Sequence, residues 1–434
     1  MEIEILNTST LKPSPPHSTP NVHIPLTIFD EAAFDLHVPT IYAFLPPTPS
    51  NAEMKQGLAK ALSHFPHLAG RLSVGEEGRP GISLNDAGIC LIEASVNMRL
   101  ADRLPLNPCP ELCKLHPSID GPVEELLQIQ LNRFSCGGLV VGVTAHHRVA
   151  DGQSMSFFFL AWAKLVRGLT IDPRPYHDRA AISVPRNPPR CEFNHQASEF
   201  RENAPAPNSK GQSAIENVHL QLSAGFVAKL KAHVEEEDPG RRFSTFECLL
   251  AHVWKKITLA RGLPDDEMTQ VRVAVNGRAR IKPGVPMEYF GNLVLWAYPR
   301  LTVRDLLDGS HAFVAKTIRD AVTKIDDAYF KSFIDFGELR KKGEDKGIAE
   351  MRATAPEIGD SLCPNLEVDS WLRFQFHGLD FGAGGPCAVL VPLLPVEGLL
   401  IFMPSCTEKG GINVHTCLLP DHVDRFKQAC YSLD

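Results

Sequence analysis

The stretch "VTAHHRVADGQSMSFFFLAW", Val143 to Trp162, sets two histidines and an aspartate between an apolar run and a helix-like segment. Histidine has an ordinary pKa of about 6.5, so it can accept a proton and return it near neutral pH, as a general base must. The end of a strand is a good mount for such a group, because it presents the side chain at the mouth of a cleft. In "HHRVADG" Asp151 lies four residues past His147 and just before Gly152, a residue that permits a sharp turn. Asp151 can orient the imidazole, or it can face away and hold the loop through an arginine. The same pattern also suits His146 and His147 as packed core histidines, and HxxxD alone does not separate the readings.

Other chemistries find less support. His147 and Asp151 can share a helix face, but neither HExxH nor paired cysteines accompany them. "CPELCKLH" offers Cys109, Cys113 and His116 without a matching second half, so no metal is expected. No GxSxG is present, and "GDSLC" around Ser361 lacks the closing glycine of a nucleophile elbow. "DFG" at Asp380 comes without a phosphate-binding loop or a catalytic HRD loop.

The elements that would carry these residues follow from pattern. "EELLQIQLNRFSCGGLVVGVTAHH" predicts two strands around a turn at Ser135–Gly138, and "QSMSFFFLAWAKLVRG" predicts a helix stopped by Gly168. Ser50 with Glu53 and Ser244 with Glu247 are capping boxes, each opening a helix of amphipathic spacing. "IPLTIFDEAAF" and "VPTIYAFLPP" read as early strand-rich structure. "ISLNDAGICLIEA" reads as a hairpin turning at Asn85–Gly88. "CAVLVPLLPVEGLLIFMP" reads as two strands around Pro395–Gly398 rather than a membrane span. "ENVHLQLS" and "TQVRVAVNGRARI" are strands, and a last helix lies near Asp421–Tyr431.

With 434 residues, 44% of them hydrophobic and 22% charged, the chain can build two domains with substantial cores. Its net charge of −7 and scattered basic residues argue against a nucleic-acid partner. Eleven cysteines without framework spacing suit reduced thiols, and "MEIEILNTST" is too acidic and polar for a secretory signal. A soluble, monomeric, cytoplasmic protein with no membrane partner is expected. A Pro-, Arg- and Asn-rich stretch at 176–211 reads as a linker between domains at 1–175 and 212–434.

"HHRVADG" (His146–Gly152) together with "DFGAG" (Asp380–Gly384) resembles the paired signatures of the plant BAHD acyl-CoA-dependent acyltransferases. The likeness runs nearly end to end, through "HFPHLAGRL", "NGRARIKPGVPMEYFGN" and "CPNLEVDSWLRF". Within the family the chain is most similar to the cereal amine N-acyltransferases, through "YFKSFIDF", "LEVDSWLRF" and "LLPVEGLLIFMPS". Ala383 stands where many members have tryptophan, and the amine branch often carries a small residue there.

The resemblance implies an α/β fold of two similar chloramphenicol-acetyltransferase-like domains, each a mixed sheet flanked by helices, with a channel at their interface. It implies acyl-CoA as co-substrate rather than a bound cofactor, with an amine as acceptor. His147 becomes the general base, and Asp151 a structural partner of Arg278, with Arg280 as the alternative; Gly152 allows the turn. Thr40 and Tyr42 match positions that line the acyl and acceptor pocket in the hydroxycinnamoyl branch. Trp371 is a candidate acceptor contact and oxyanion donor. For coenzyme A the candidates are Asp380 and Gly382 in the DFGAG loop, and Ser244 and Thr245 at a helix N-terminus, with Arg241 and Arg242 just before it.

In "LEVDSW" the alternation of a strand turns Glu367 and Asp369 to one face. In the shikimate-accepting branch the position of Asp369 is a neutral hydroxyl residue, and an arginine that grips the acceptor carboxylate falls here near Pro356. Carboxylates at 367 and 369 therefore point to a cationic amine acceptor. An ester-forming transferase using shikimate- or quinate-like alcohols is the alternative, and a non-catalytic binding relative is disfavoured by the intact HxxxDG.

Overall fold

The apolar runs on either side of Ser135–Gly138 pair as an antiparallel hairpin, Leu127–Phe134 against Leu139–His146. The computed structural model describes residues 1–17, 21–75, 78–201, 214–342, 352–353 and 359–433. The chain divides into two compact units. One comprises Met1–Pro185, Pro283–Leu293 and Phe374–Leu393; the other comprises Arg186–Lys282, Val294–Arg373 and Leu394–Asp434. Boundaries at 175 and 212 do not mark these units, because the chain leaves and re-enters the first one twice. The DFGAG segment, read as C-terminal, belongs to that first unit. The stretch read as a linker carries two short helices, Arg179–Ile182 and His195–Ser198, and its residues 202–213 lie outside the described ones.

The first unit is built on a six-stranded mixed sheet. Leu139–His146 runs antiparallel to His37–Phe44, with His37 opposite His146. On the other side Leu127–Phe134 is parallel to Ile89–Val96, which pairs in turn with Ile3–Leu11. Ala388–Leu390 closes the far edge against His37–Phe44. Helices Asn51–His64 and Gly152–Val166 pack on each other, and the buried Trp162 indole donates to the carbonyl of Met54 at 3.0 Å. Their contact is close at Gly57, where a Cβ would lie 2.4 Å from Val166 Cγ2.

The second unit repeats the plan. Leu366–Ser370 lies parallel to both neighbours, Met268–Asn276 and Leu399–Pro404. Ile412–Leu418 and Glu216–Leu222 follow on one side and Val294–Ala297 on the other. Helix Thr245–Arg261 packs against His311–Thr323 and Pro420–Ala429, the last agreeing with the helix read near Asp421. Among the described residues no helix is long and apolar enough to cross a membrane.

Three local readings are corrected. "IFDE" is a short helix, Ile28–Glu31, opened by a capping box between Thr27 and Asp30, because those side chains satisfy each other's backbone amides. Asn85–Gly88 does not close a hairpin. Pro80–Leu84 joins a three-stranded sheet with Val22–Pro25 and Arg71–Val74, while Ile89–Val96 enters the main sheet. The strands flanking Pro395–Gly398 likewise pair elsewhere, Ala388–Leu390 with His37–Phe44 and Leu399–Pro404 with Leu366–Ser370 and Ile412–Leu418.

Candidate active site

His146 ends its strand and the following helix begins at Gly152, so residues 147–151 form the junction that the sequence places at the centre of the chemistry. His147 is half-buried, with its ring 5.2 Å from that of Phe34 and its amide donating to the Leu36 carbonyl at 2.9 Å. Nδ1 is its buried nitrogen and makes no hydrogen bond among the described residues. Burial holds the imidazole below its ordinary pKa, although the charge of Asp151 opposes the shift. A neutral imidazole is the form that accepts a proton.

His146 plays a different part. Its Nδ1 accepts the Arg148 amide at 3.3 Å, its Nε2 faces Asp35 at 3.5 Å, and its ring meets the edge of His37. Burial, with His37 and Arg148 nearby, lowers its pKa to about 3. It is a neutral packing residue.

Asp151 is buried, with its carboxylate turned toward backbone amides. Oδ1 accepts from Ser154 N at 2.9 Å, capping the helix, and Oδ2 accepts from Leu293 N at 3.1 Å. Gly152 is the first helical residue and does not have a left-handed φ. Its small size matters for another reason than a turn: a Cβ there would lie 2.8 Å from Cζ of Phe374.

A network that sequence reading missed fixes the backbone around His147. Asp30 is fully buried and accepts from Asn292 N at 3.2 Å and Asn292 Nδ2 at 3.0 Å. The same Nδ2 donates to the His147 carbonyl at 2.9 Å. Arg179 donates through Nη1 to Asp30 at 2.7 Å and through Nη2 to the Val149 carbonyl at 2.5 Å. Ser154 Oγ bonds the carbonyls of Tyr289 and Gly291 at 3.0 and 2.9 Å. No local motif reveals this set, because its members lie far apart in sequence. A buried-looking Asp in "TIFD" was the available signal.

In the DFGAG loop Asp380 Oδ1 accepts the amides of Gly382 and Gly384 at 2.7 and 2.8 Å, and Oδ2 faces Arg167 at 3.5 Å. Both glycines have positive φ, 126° and 103°, which side chains other than glycine rarely adopt. Those amide bonds and Arg167 hold the Asp380 carboxyl below its usual range, against its partial burial. Asp380 therefore shapes the loop. Tyr42 packs against Phe159 and Phe376, and both Tyr42 and Thr40 are buried in the strand opposite Val141 and Val143.

The second unit holds the remaining candidates. Arg278 is fully buried, and its Nη1 donates to Asn276 Oδ1 at 3.3 Å. Arg280 Nη1 donates to the carbonyls of Val322 and Ile325, each at 2.9 Å. Glu367 is buried and paired with Arg272 at 2.9 Å, and that guanidinium lies 3.6 Å over the Trp296 ring. Asp369, two residues on, is partly exposed, and burial of its carboxyl next to Glu367 pushes its pKa up to about 7 despite Arg272. Glu367 is thus neutralised by an arginine, while Asp369 has the perturbed carboxyl. Trp371, next on the chain after Ser370, bonds the Phe402 carbonyl through its amide. The position near Pro356 lies outside the described residues.

Ser244 caps its helix, and Glu247 completes the box and also takes Arg319 at 2.9 and 2.6 Å. Thr245 is the first residue of that helix, and Arg241 pairs with Asp238 at 3.4 Å. An anion at this terminus would meet the Glu247 carboxylate. Cys109, Cys113 and His116 do not converge as ligands; Cys109 accepts from Arg103 and His116 Nδ1 meets the Pro117 carbonyl.

The family model described as Transferase family matches residues 1–433. The chain belongs to that family, the BAHD acyltransferases. It is 50% identical over 417 residues to tryptamine hydroxycinnamoyltransferase 2 of Oryza sativa subsp. japonica, covering 94% of this chain and 93% of the relative. It is 44% identical over 447 residues to tryptamine benzoyltransferase 1 of the same plant, covering 100% and 98%. Among solved structures vinorine synthase matches with a TM-score of 0.73 at 23% identity, covering 98% and 96%, a likeness of fold. The two-unit α/β architecture expected of a BAHD protein is the one found.

Proposed function

We propose that this BAHD acyltransferase moves a hydroxycinnamoyl or benzoyl group from its coenzyme A thioester to an amine of the tryptamine, tyramine, agmatine or putrescine class. The observation that carries the reading is His147: half-buried, lowered in pKa, and held by Asn292 at its carbonyl in a junction pinned by Asp151. The thioester is already activated, so no acyl-enzyme is needed. The bound ammonium first releases one proton to solvent; the free amine nitrogen then forms a bond to the thioester carbonyl carbon while His147 takes its second proton, and the C–S bond breaks as that proton goes to the leaving thiolate. His146 is too strongly held in its neutral form, and too enclosed by His37 and Asp35, to share that task.

Asp369 is the residue we assign to the acceptor's ammonium group, with Glu367 two residues before it paired to Arg272 on the neighbouring strand. Asp380 and Gly382 we assign to shaping the loop on the coenzyme A side. The 50% identity to a relative named for tryptamine supports an amine over an alcohol acceptor.

Two measurements test this. An acceptor panel of tryptamine, tyramine, agmatine, putrescine and shikimate, run with coumaroyl-CoA and benzoyl-CoA, should give amide products by mass. Preference for shikimate over every amine would replace the reading with the ester-forming one. His147→Ala should lower turnover about 10²–10⁴-fold with an unchanged fold by circular dichroism, since a positioned base typically contributes that much. Retention of turnover in His147→Ala, with loss in His146→Ala, would reverse the roles.

A further inference from the structure

Helix Ala224–Glu237 places His233 and Glu237 one turn apart on one face, and His311 opens helix His311–Thr323 beside them. His233 Nε2 lies 3.3 Å from Glu237 Oε1, and His311 Nδ1 lies 4.0 Å from the same oxygen. All three ligand atoms lie within 4.8 Å of one another. Neither contact to Glu237 is a hydrogen bond among the described residues: one misses in angle and the other in length. Each side chain offers one ligand atom to the same small volume.

A second observation shows what His311 presents there. His252 Nε2 lies 2.7 Å from the Cys430 carbonyl, which only accepts, so the proton of neutral His252 sits on Nε2. His252 Nδ1 is then an acceptor, and His311 Nε2, 3.3 Å away, must be the donor. In that tautomer the neutral ring of His311, only 4% exposed, turns the lone pair of Nδ1 toward the carboxylate. The imidazole nitrogen and the carboxylate oxygen lie 4.0 Å apart, which leaves room for a cation between them. The other carboxylate oxygen is already fixed, since Glu237 Oε2 accepts the Ala312 amide at 2.8 Å.

We propose that His233, Glu237 and His311 form a binding site for a divalent metal ion of the zinc class. Two imidazoles and one carboxylate are a zinc ligand set, and tetrahedral zinc spaces such atoms about 3.3–3.5 Å apart at its usual bond lengths. The 3.3 Å contact already has that spacing, while the 4.0 Å contact and the His233–His311 pair, within 4.8 Å, close to it by side-chain adjustment. His252 and the Cys430 carbonyl form the outer hydrogen-bond chain that orients a metal-bound histidine. The remaining position faces water, because His233 is 34% exposed and Glu237 21% in their side chains. Bound metal would clip the end of one helix to the start of another, independently of acyl transfer.

Opposing charges set the affinity. Lys255 is close by, but its ammonium is saturated by the carbonyls of Leu306, Leu307 and Gly309. Buried Lys256 and the positive end of helix His311–Thr323 also disfavour a cation, so binding is weaker than at a thiolate site.

The test uses the full chain, stripped with a chelator, returned to metal-free buffer, and titrated with Zn²⁺ alone by calorimetry and equilibrium dialysis. One zinc per chain should bind and raise the melting temperature. His233→Gln, at a partly exposed position that tolerates substitution, and Glu237→Gln should each weaken binding at least ten-fold and remove the thermal shift. Cobalt substitution should give a tetrahedral visible spectrum in the parent chain and not in His233→Gln. Turnover of the stripped enzyme should persist, because none of the three residues belongs to the acyl-transfer site. Absence of stoichiometric zinc binding overturns the proposal. So does equal binding by both variants, which would move the metal to the other histidines or the eleven cysteines.

Discussion

Asp369 shows how a side chain proposed to bind substrate can oppose stability. Its carboxyl is raised to about 7 by burial and by Glu367, so the folded protein favours the protonated form between about pH 4 and 7. The unfolded chain releases that proton near pH 4, so this residue's contribution to stability falls as pH rises through the window. An ammonium ion bound there would repay the cost, which is the expected arrangement for a binding residue. Asp369→Asn should therefore raise the KM for amine several-fold, leave the KM for acyl-CoA nearly unchanged, and raise the melting temperature by about 1–3 °C at pH 8 with little effect at pH 5. An unchanged amine KM would remove Asp369 from the acceptor site. Because the acceptor arrives as an ammonium ion with a pKa near 10, the parent rate should rise with pH above neutrality. Glu367 differs: its pairing with Arg272 predicts that Glu367→Gln acts first on stability. Strand alternation in the sequence sets both carboxylates on one face, but does not show the arginine that pairs with Glu367. Asp30 was missed altogether. Asp30→Asn leaves the buried Arg179 without its charge partner, and a cost of about 3–5 kcal/mol is expected, with turnover falling as the Asn292 anchor loosens. A melting temperature unchanged by this substitution would show that the network does not support the junction.

At the scale of elements, what could be read from sequence was what is local. The boxes at Ser50 with Glu53 and at Ser244 with Glu247 open helices as expected, because a cap is complete within four residues. The Ser135–Gly138 hairpin was legible for the same reason. Asn85–Gly88 carries equal turn chemistry, yet the strands on either side find partners in different sheets, and no nearby residue encodes that choice. Gly152 is the instructive case. Sequence suggests a turn, while the structure shows a helix start with an aromatic ring against its Cα hydrogens. In a helix alanine is ordinarily better than glycine by about 1 kcal/mol. Here a Cβ would meet Phe374 at 2.8 Å, so Gly152→Ala should instead destabilise by about 1–3 kcal/mol, the usual cost of overpacking. Thermal melts by circular dichroism decide this, and a variant as stable as the parent would show that Phe374 moves aside freely.

Across the whole molecule seven histidines share one electrostatic character. His146 and His177 in the first unit are lowered to about 3 and 4, and His67 is well below its ordinary value. In the second, His219 and His252 are lowered to about 4, and His311 and His415 to about 3. Burial is the largest cause in every case, because a charged imidazole loses its hydration where the chain packs tightly. The unfolded chain takes up protons at these positions below about pH 6.5, whereas the folded chain refuses them until about pH 3–4. Stability from this source is therefore complete above pH 6.5 and drains away as pH falls, each histidine contributing up to about 1.4 kcal/mol per pH unit. Carboxylates held below their usual range, such as Glu93 and Glu247, are lost in the lower part of the same window. Asp369 works in the opposite direction, but as one group against seven. Because both units carry such histidines, neither is spared, and acid should lower the stability of the two together. Thermal melts in metal-free buffer should show a plateau from about pH 7 to 8 and a steep decline from pH 6 to 4.5. His415→Phe, which removes one titrating ring from a fully buried strand position, should make that decline shallower if it packs. His219→Gln, nearer the surface of the same sheet, provides the check if it does not. A melting temperature constant from pH 7 to 5 would mean that these imidazoles are protonated in the folded protein, and that the interior around them is wetter than the packing implies.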